Sequence, residues 1–267
     1  TTNISKANTA AVDDVQVRFG DSGSGVTVNF NQNGPSLHDF ERLLKACQPA
    51  SFGRAGEAVL DEKYRKAGKL DRSQFATNFC SYEAGIIDVV TQLLVPQHDH
   101  GRHERSIKVT YTLHFSVSTV YVLTIKAELY KLNVYSAPNG KFKPHVDTPR
   151  SKDQIGSLVV SLPSPHEGGQ LTVKNAGVAS QSVIFDWSVT DDAAPAAIKW
   201  ATFYSDCEHE VHEVMSGHRV TLTYNLYLTR RAGHLAGASS ALDSTQLPLY
   251  EGLQTALENP GFLRHGL

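Results

Sequence analysis

The alternation of apolar and polar residues predicts a mostly β chain with flanking helices, an α+β layout in which the strands form one packed body. Two observations carry this. From residue 107 onward the apolar positions repeat with period two in short runs separated by turn residues, with no helical stripe between them. Ahead of them, three stretches place apolar residues at helical spacing. Short strands in that succession argue a β-sandwich or barrel, and the helices are expected to cover one of its faces.

The elements follow in order. Residues 1–14 are polar and read as a disordered arm. Residues 15–19 and 26–30 alternate around a glycine-rich stretch and predict a hairpin. That loop lacks a following Gly-Lys-Ser, so it is an ordinary turn and not a phosphate cradle. Ser36 and Asp39 have capping-box spacing, and Leu37, Phe40, Leu43, Leu44 and Cys47 continue as a helical stripe. A second helix is predicted over 56–67 with Gly68 as its stop, and a third over 82–94, ended by Pro96. The segment from Pro96 to Arg105 crowds His98, His100 and His103 among charges and glycine, which reads as a solvated loop. Strands are expected at 107–115, 117–128, 131–135, 156–162, 169–173, 182–185, 198–204, 208–214 and 220–228. Beyond them a Gly/Ala/Ser-rich linker leads to a final helix near 247–257.

Composition sets the bounds. A chain of 267 residues with 40% apolar content supports one large compact domain. A net charge of -2 and a pI near 6.6 give no basic surplus for nucleic acid. The longest apolar runs carry Asp88 and Gln92, too polar to span a bilayer. Thr1 implies a trimmed amino end, where a removed leader leaves no trace. Three scattered cysteines without a CxxC pair argue against a disulfide framework and for an intracellular setting, cytoplasmic or nuclear.

The chemistry concentrates between residues 130 and 225. His145 and Asp147 stand two apart, and on an extended strand such side chains share a face. His209 supplies a third metal donor, and Arg219 follows ten residues later. Two histidines and one carboxylate on one face of an iron leave positions open opposite them, as in non-haem Fe(II) oxygenases. His212 competes with His209, but three residues further along it faces the other way. His-x-Asp alone is common; joined to a His and an Arg in this order and spacing it is specific.

This constellation resembles the 2-oxoglutarate/Fe(II)-dependent dioxygenases, specifically their prolyl 4-hydroxylase-like branch as found in fungal-type members. Tyr135 stands ten before His145, and Glu167-Gly168-Gly169 resembles the family's strand-opening Gly-Gly element. The resemblance covers roughly residues 107–230. It implies a double-stranded β-helix, or jelly-roll of cupin-like type, at 107–230, with residues 15–106 as a supporting hairpin and helices and 231–267 as linker and terminal helix. It also implies that His145, Asp147 and His209 hold Fe(II), that Arg219 anchors the far carboxylate of 2-oxoglutarate, and that Tyr135 contacts the same cosubstrate. A guanidinium fork matches a carboxylate with two parallel bonds, and Thr221 shares the face of Arg219 on a strand. The activity implied is C–H hydroxylation of a prolyl or other protein side chain, or of a small metabolite, using O2 with ascorbate as reductant. The competing reading is a non-catalytic cupin-like module that binds metal or ligand. Lys141, Lys143, Arg150 and Lys152 flank the first ligands; apart from Arg150 they read as solvated surface charges, with steering of an anionic cosubstrate or contact with an acidic group on the substrate as the alternatives. Arg150 follows Asp147 closely enough to reach the entrance and is a candidate substrate contact. Trp187 and Trp200 read as core or rim packing, with Trp200 the second candidate for the substrate.

Overall fold

The computed structural model describes residues 8–11, 14–20, 25–31, 34–54, 57–95, 123–174, 182–188 and 197–230. The amino-terminal arm in part, the histidine loop, the strand expected at 107–115, the first part of that expected at 117–128, residues 175–181, the linker and the terminal helix lie outside the described residues. Contacts group residues 1–106 with 125–228 as one compact unit. A second grouping, 107–124 with 229–267, falls almost wholly outside the described residues.

The elements run β1 (Asn8–Ala11), β2 (Val15–Phe19), β3 (Val26–Phe30), α1 (Leu37–Ala46), β4 (Gln48–Pro49), β5 (Phe52–Arg54), β6 (Glu57–Val59), β7 (Arg65–Lys66) and β8 (Gly68–Asp71). A 3-10 turn (Arg72–Gln74), β9 (Phe75–Thr77) and α2 (Ile86–Leu94) complete the first part. Then follow β10 (Leu123–Ser136), β11 (Gly140–His145), β12 (Gln154–Ser161), β13 (His166–Gly168), β14 (Leu171–Lys174), β15 (Ser182–Phe185), β16 (Ala197–Tyr204) and β17 (Glu208–Arg230). The architecture is mostly β with a jelly-roll core. A larger sheet runs β1-β16-β12-β17-β10-β8-β4, while β7, β11, β17, β14 and β15 pair in turn to form the opposing one.

β17 belongs to both sheets, and this is what positions the site. Its first half pairs with β11 and β14, its second with β12. The sequence predicts two strands here; the structure has one, with Gly217 at a φ of +66 between the halves. A side chain at Gly217 would meet the Pro165 carbonyl oxygen at 2.2 Å, so only glycine suits both the conformation and the approach.

Alternation decides which face each strand residue takes. Leu132 and Val134 of β10, Leu158 and Val160 of β12, and Val220, Leu222, Tyr224 and Leu226 of β17 face one apolar core. Phe40 and Leu43 of α1 and Ile86, Ile87, Val90 and Leu94 of α2 share that core. α1 starts where expected: Ser36 caps it, its hydroxyl accepting from the Asp39 amide at 3.3 Å. α2 starts later than predicted because Gly85 sits in the left-handed conformation at a φ of +69. β2 and β3 form the expected hairpin, with Val17 opposite Val28.

The helix predicted over 56–67 does not exist. Within its described part, 57–59 is a strand paired with 52–54, and 65–66 is a strand paired with β11. The apolar residues of that stretch fit a helical period by coincidence, and sheet pairing overrides it. Among the described residues no helix is long and apolar enough to cross a membrane.

Candidate metal centre

His145 and His209 are cross-strand partners of β11 and β17, so their side chains leave the sheet from the same face. Their rings lie 4.2 Å apart between centroids. Asp147 stands just past the end of β11 and turns back toward them: its Oδ1 is 4.0 Å from His145 Nε2 and its Oδ2 is 3.8 Å from His209 Nε2. The ligand atoms of all three lie within 4.8 Å of one another. His212 lies away from the cluster, its ring meeting the Thr172 hydroxyl at 2.7 Å and Glu210 at 3.8 Å.

The surroundings orient each donor. His145 Nδ1 lies 2.8 Å from the Lys143 carbonyl and His209 Nδ1 lies 3.1 Å from the Cys207 carbonyl. A carbonyl only accepts, so both Nδ1 atoms carry the proton and both Nε2 lone pairs point at the shared space. Ser157 donates its hydroxyl to Asp147 Oδ2 at 3.1 Å. Phe142 stacks on the His145 ring, and Phe203 packs on His209 with centroids 4.6 Å apart. Burial, with the neighbouring His209 adding to it, pushes His145 down to about 3, so it stays a neutral ligand. A set of two imidazoles and one carboxylate suits Fe(II), and locked ring orientations of this kind are how metal ligands are held.

The cluster borders a cavity of about 200 Å³ that also contains Tyr135, Arg219 and Thr221. Arg219 is 1% exposed, yet its Nε and Nη2, which share one edge of the guanidinium, have no partner. Burial draws its pKa down to about 10, with the Tyr135 hydroxyl opposing weakly. Tyr135 and Trp187 give it ring faces at 5.5 and 5.0 Å. Gly169 makes room for it: a Cβ there would meet Arg219 Cδ at 3.0 Å. A buried donor edge with nothing bound to it is a socket for a carboxylate.

Arg150 reaches the mouth of the cavity, its Nη2 donating to the Tyr130 hydroxyl. Trp200 does not reach it, which corrects the expectation of a substrate contact there. It is 2% exposed and packs in the apolar core beneath the helices, on the same side as Ile198, whereas Phe203 of the same strand takes the cavity side. Sequence reasoning passed over Arg65, Lys131, Asn133, Thr223 and Asn225, all of which line the cavity. The signal existed for four of them: Lys131 and Asn133 share the strand parity of Tyr135, and Thr223 and Asn225 that of Arg219. Arg65 had none, since β7 reaches the site only by pairing with β11.

Residues 130–227 match the 2OG-Fe(II) oxygenase superfamily, a span that contains the three clustered ligands and Arg219. That family is a class of oxidoreductases, and it implies Fe(II) and 2-oxoglutarate as the groups a member uses. The donors described above fit both groups.

No curated protein matches the chain. Among solved structures, a 2OG-Fe(II) oxygenase family oxidoreductase from Burkholderia pseudomallei is 19% identical with a TM-score of 0.31, the match covering 41% of this chain and 47% of that one. The chain thus spans about half of that relative. A Trichoplax adhaerens prolyl hydroxylase, solved with a peptide of the hypoxia inducible factor oxygen degradation domain, is 16% identical with a TM-score of 0.40, covering 72% of this chain and 76% of that one. A Pseudomonas putida prolyl-4-hydroxylase is 16% identical with a TM-score of 0.37, covering 72% and 83%.

Proposed function

We propose that this protein is an Fe(II)/2-oxoglutarate-dependent dioxygenase of the prolyl 4-hydroxylase-like type. It hydroxylates a C–H bond of a peptide side chain or of a small metabolite. The single observation that carries this is the convergence of His145, Asp147 and His209 at a cavity that also holds the unpartnered guanidinium edge of Arg219.

The chain's own residues divide the work. His145 and His209 present their Nε2 atoms, and Asp147, steadied by Ser157, supplies the carboxylate ligand. Arg219, whose Nε and Nη2 have no partner in the protein, would hold the distal carboxylate of 2-oxoglutarate, with the hydroxyls of Thr221 and Tyr135 in the same cavity lining. Phe142, Phe203, Leu171 and Val211 wall the cavity and limit water near the ligands. The redox chemistry that bound Fe(II) supplies is the division of O2 between 2-oxoglutarate, giving succinate and carbon dioxide, and a substrate C–H, giving C–OH. Ascorbate serves as reductant for the metal.

The test is succinate release from 2-oxoglutarate with Fe(II) and ascorbate, beside metal binding read with Mn(II). Turnover is expected even without substrate, slowly. His145→Ala is expected to abolish both succinate release and Mn(II) binding. A variant that keeps both would overturn the assignment; metal binding without turnover in the unaltered protein would favour the non-catalytic cupin-like module.

A further inference from the structure

The cavity holds more positive charge than the reaction above uses. Its lining includes Arg65, Lys131, Arg150 and Arg219, against the single carboxylate of Asp147. On the proposed function, the charges of an iron dication, Asp147, the 2-oxoglutarate dianion and Arg219 cancel. Arg65, Lys131 and Arg150 are then left over, and none of them is in an ion pair among the described residues.

Lys131 and Arg150 meet at Tyr130, and Arg65 lies over the Phe142 ring at 4.4 Å. Arg65 is 7% exposed; it donates to the Ser51 carbonyl at 2.7 Å and to Asn133 Oδ1 at 2.9 Å, and its Nε has no partner. Asn133 in turn donates to the Thr223 hydroxyl at 3.0 Å, so its amide is fixed. Lys131 is 9% exposed, with its ammonium 3.9 Å from the centre of the Tyr130 ring. Arg150 covers the same ring at 4.2 Å. Both cations therefore meet one phenol, and among the described residues neither forms an ion pair with an acid.

The electrostatics agree with an unmet need. Burial lowers the pKa of Lys131 below the ordinary lysine range; Tyr130 opposes this, while Arg65 and Lys69 add to it. For Tyr130 burial alone acts upward, but Lys131 and Arg150 outweigh it and bring the phenol below its usual value. An anion beside Lys131 and Arg150 moves Lys131 and the phenol back toward their ordinary values, and Lys131, the buried cation of the two, has the Tyr130 hydroxyl as its hydrogen-bond partner but no counter-charge among the described residues.

The inner cavity shares Ser51, Tyr130, Lys131, Arg150 and Asn225 with an outer hollow of about 780 Å³. The acids there are already committed: Asp71 to Lys69 at 2.7 Å, Glu128 to Lys126 at 2.6 Å. Arg72 adds a further positive group to that hollow. The approach to the metal cluster is thus cationic from the hollow inward, which concentrates anions there.

We infer that the primary substrate is an anion whose carboxylate docks at Lys131 and Arg150, between the outer hollow and the metal cluster. This rests on the proposed function for the identity of the site, and it adds the substrate class. Arg65 acts as a positioning residue, holding Asn133 and adding field. The carboxylate belongs either to a small organic or amino acid or to an acidic side chain of a peptide, and the site reads what the two have in common.

Calorimetric titration of the metal-free protein separates these. The probes are L-glutamate, glutarate and a glutamate-containing pentapeptide, each beside its amide counterpart, with the unaltered protein, Lys131→Met, Arg150→Gln and Arg219→Met. At least one acid is expected to bind while its amide does not. Its affinity is expected to fall at least tenfold in Lys131→Met and in Arg150→Gln, and to persist in Arg219→Met. Because Arg150 is exposed, its replacement keeps the fold intact even if that of Lys131 does not. Binding of glutamate or glutarate alone marks a small acid, and binding of the peptide alone marks an acidic side chain. Amides that bind as well as acids would overturn the inference, as would affinity lost only in Arg219→Met or no binding by any probe at millimolar concentration. Since neither metal nor turnover enters, a failure here leaves succinate release standing, and failed succinate release leaves this result standing.

Discussion

The two faces of the larger sheet are built from the same strands and do opposite things. Toward the helices, β10, β12 and β17 present Leu132, Val134, Leu158, Val160, Leu222 and Leu226, an unbroken apolar surface. One residue over, the same strands present Lys131, Asn133, Ser157, Arg219, Thr221, Thr223 and Asn225 to the cavity. Both rows are largely buried. The contrast teaches that burial alone does not mark a core: one face stabilises by removing apolar area from water, while the other holds polar groups whose partners arrive with ligands. Since side chains alternate strictly, a one-residue slip in register would exchange the two and destroy both.

The comparison breaks first at Leu132, which is fully buried on the apolar face. Leu132→Ala is expected to cost about 2–5 kcal/mol of unfolding free energy, read from urea denaturation, while Mn(II) binding per folded molecule stays unchanged. Metal affinity that fell in step with stability would mean that the two faces are not separable.

On the cavity face the sign reverses. Arg219 is buried with two unpartnered nitrogens, and its pKa stands near 10 because the charged form is penalised. Arg219→Met is expected to stabilise the ligand-free protein by about 1–4 kcal/mol, the range seen when poorly compensated buried charge gives way to apolar packing. With Mn(II) present, 2-oxoglutarate is expected to raise the melting temperature of the unaltered protein but not of this variant. A less stable Arg219→Met would show that the ring faces of Tyr135 and Trp187 already satisfy the guanidinium.

How much of this was legible in the sequence follows from the same geometry. His145, His209 and Arg219 were readable because two strands at fixed spacing determine which face each side chain takes, and β17 carries two of the three. Asp147 joins them from beyond its strand's end, so its position depends on a turn that spacing does not dictate. The packing read for Trp200 agrees with its place in the apolar core, and only its second reading, as a substrate contact, fails, because its parity with Ile198 assigns it to the apolar side. Arg65 lay inside a predicted helix, and only long-range pairing of a two-residue strand brings it to the cavity. Local periodicity carries no trace of such a partner. The positive wall at Lys131 and Arg150 was half visible, as charges near the first ligands, but its lack of counter-charges is a property of the assembled space.

The smallest expected effect concerns pH and sharpens the contrast between the faces. His166 is buried, its Nδ1 2.8 Å from the Ser164 carbonyl and its Nε2 without a partner, and burial with the charge of Arg219 keeps its pKa below the ordinary 6.5. His218, lying against Phe40 with ring centroids 4.7 Å apart, is lowered by burial as well. A histidine with a lowered folded value binds fewer protons in the native state than in the unfolded chain, so stability rises with pH across the interval between the two values. The contribution is complete above about pH 6.5 and is lost as the pH falls through the folded values. His166→Gln is therefore expected to flatten the dependence of the urea midpoint between pH 7.5 and 5, whatever it does to the midpoint itself. Leu132→Ala, which removes no titrating group, is expected to lower the midpoint at both ends alike. If the His166 variant kept the full slope, the proton uptake would have to be sought elsewhere, and the polar lining near Arg219 would be less tightly closed to water than its burial implies.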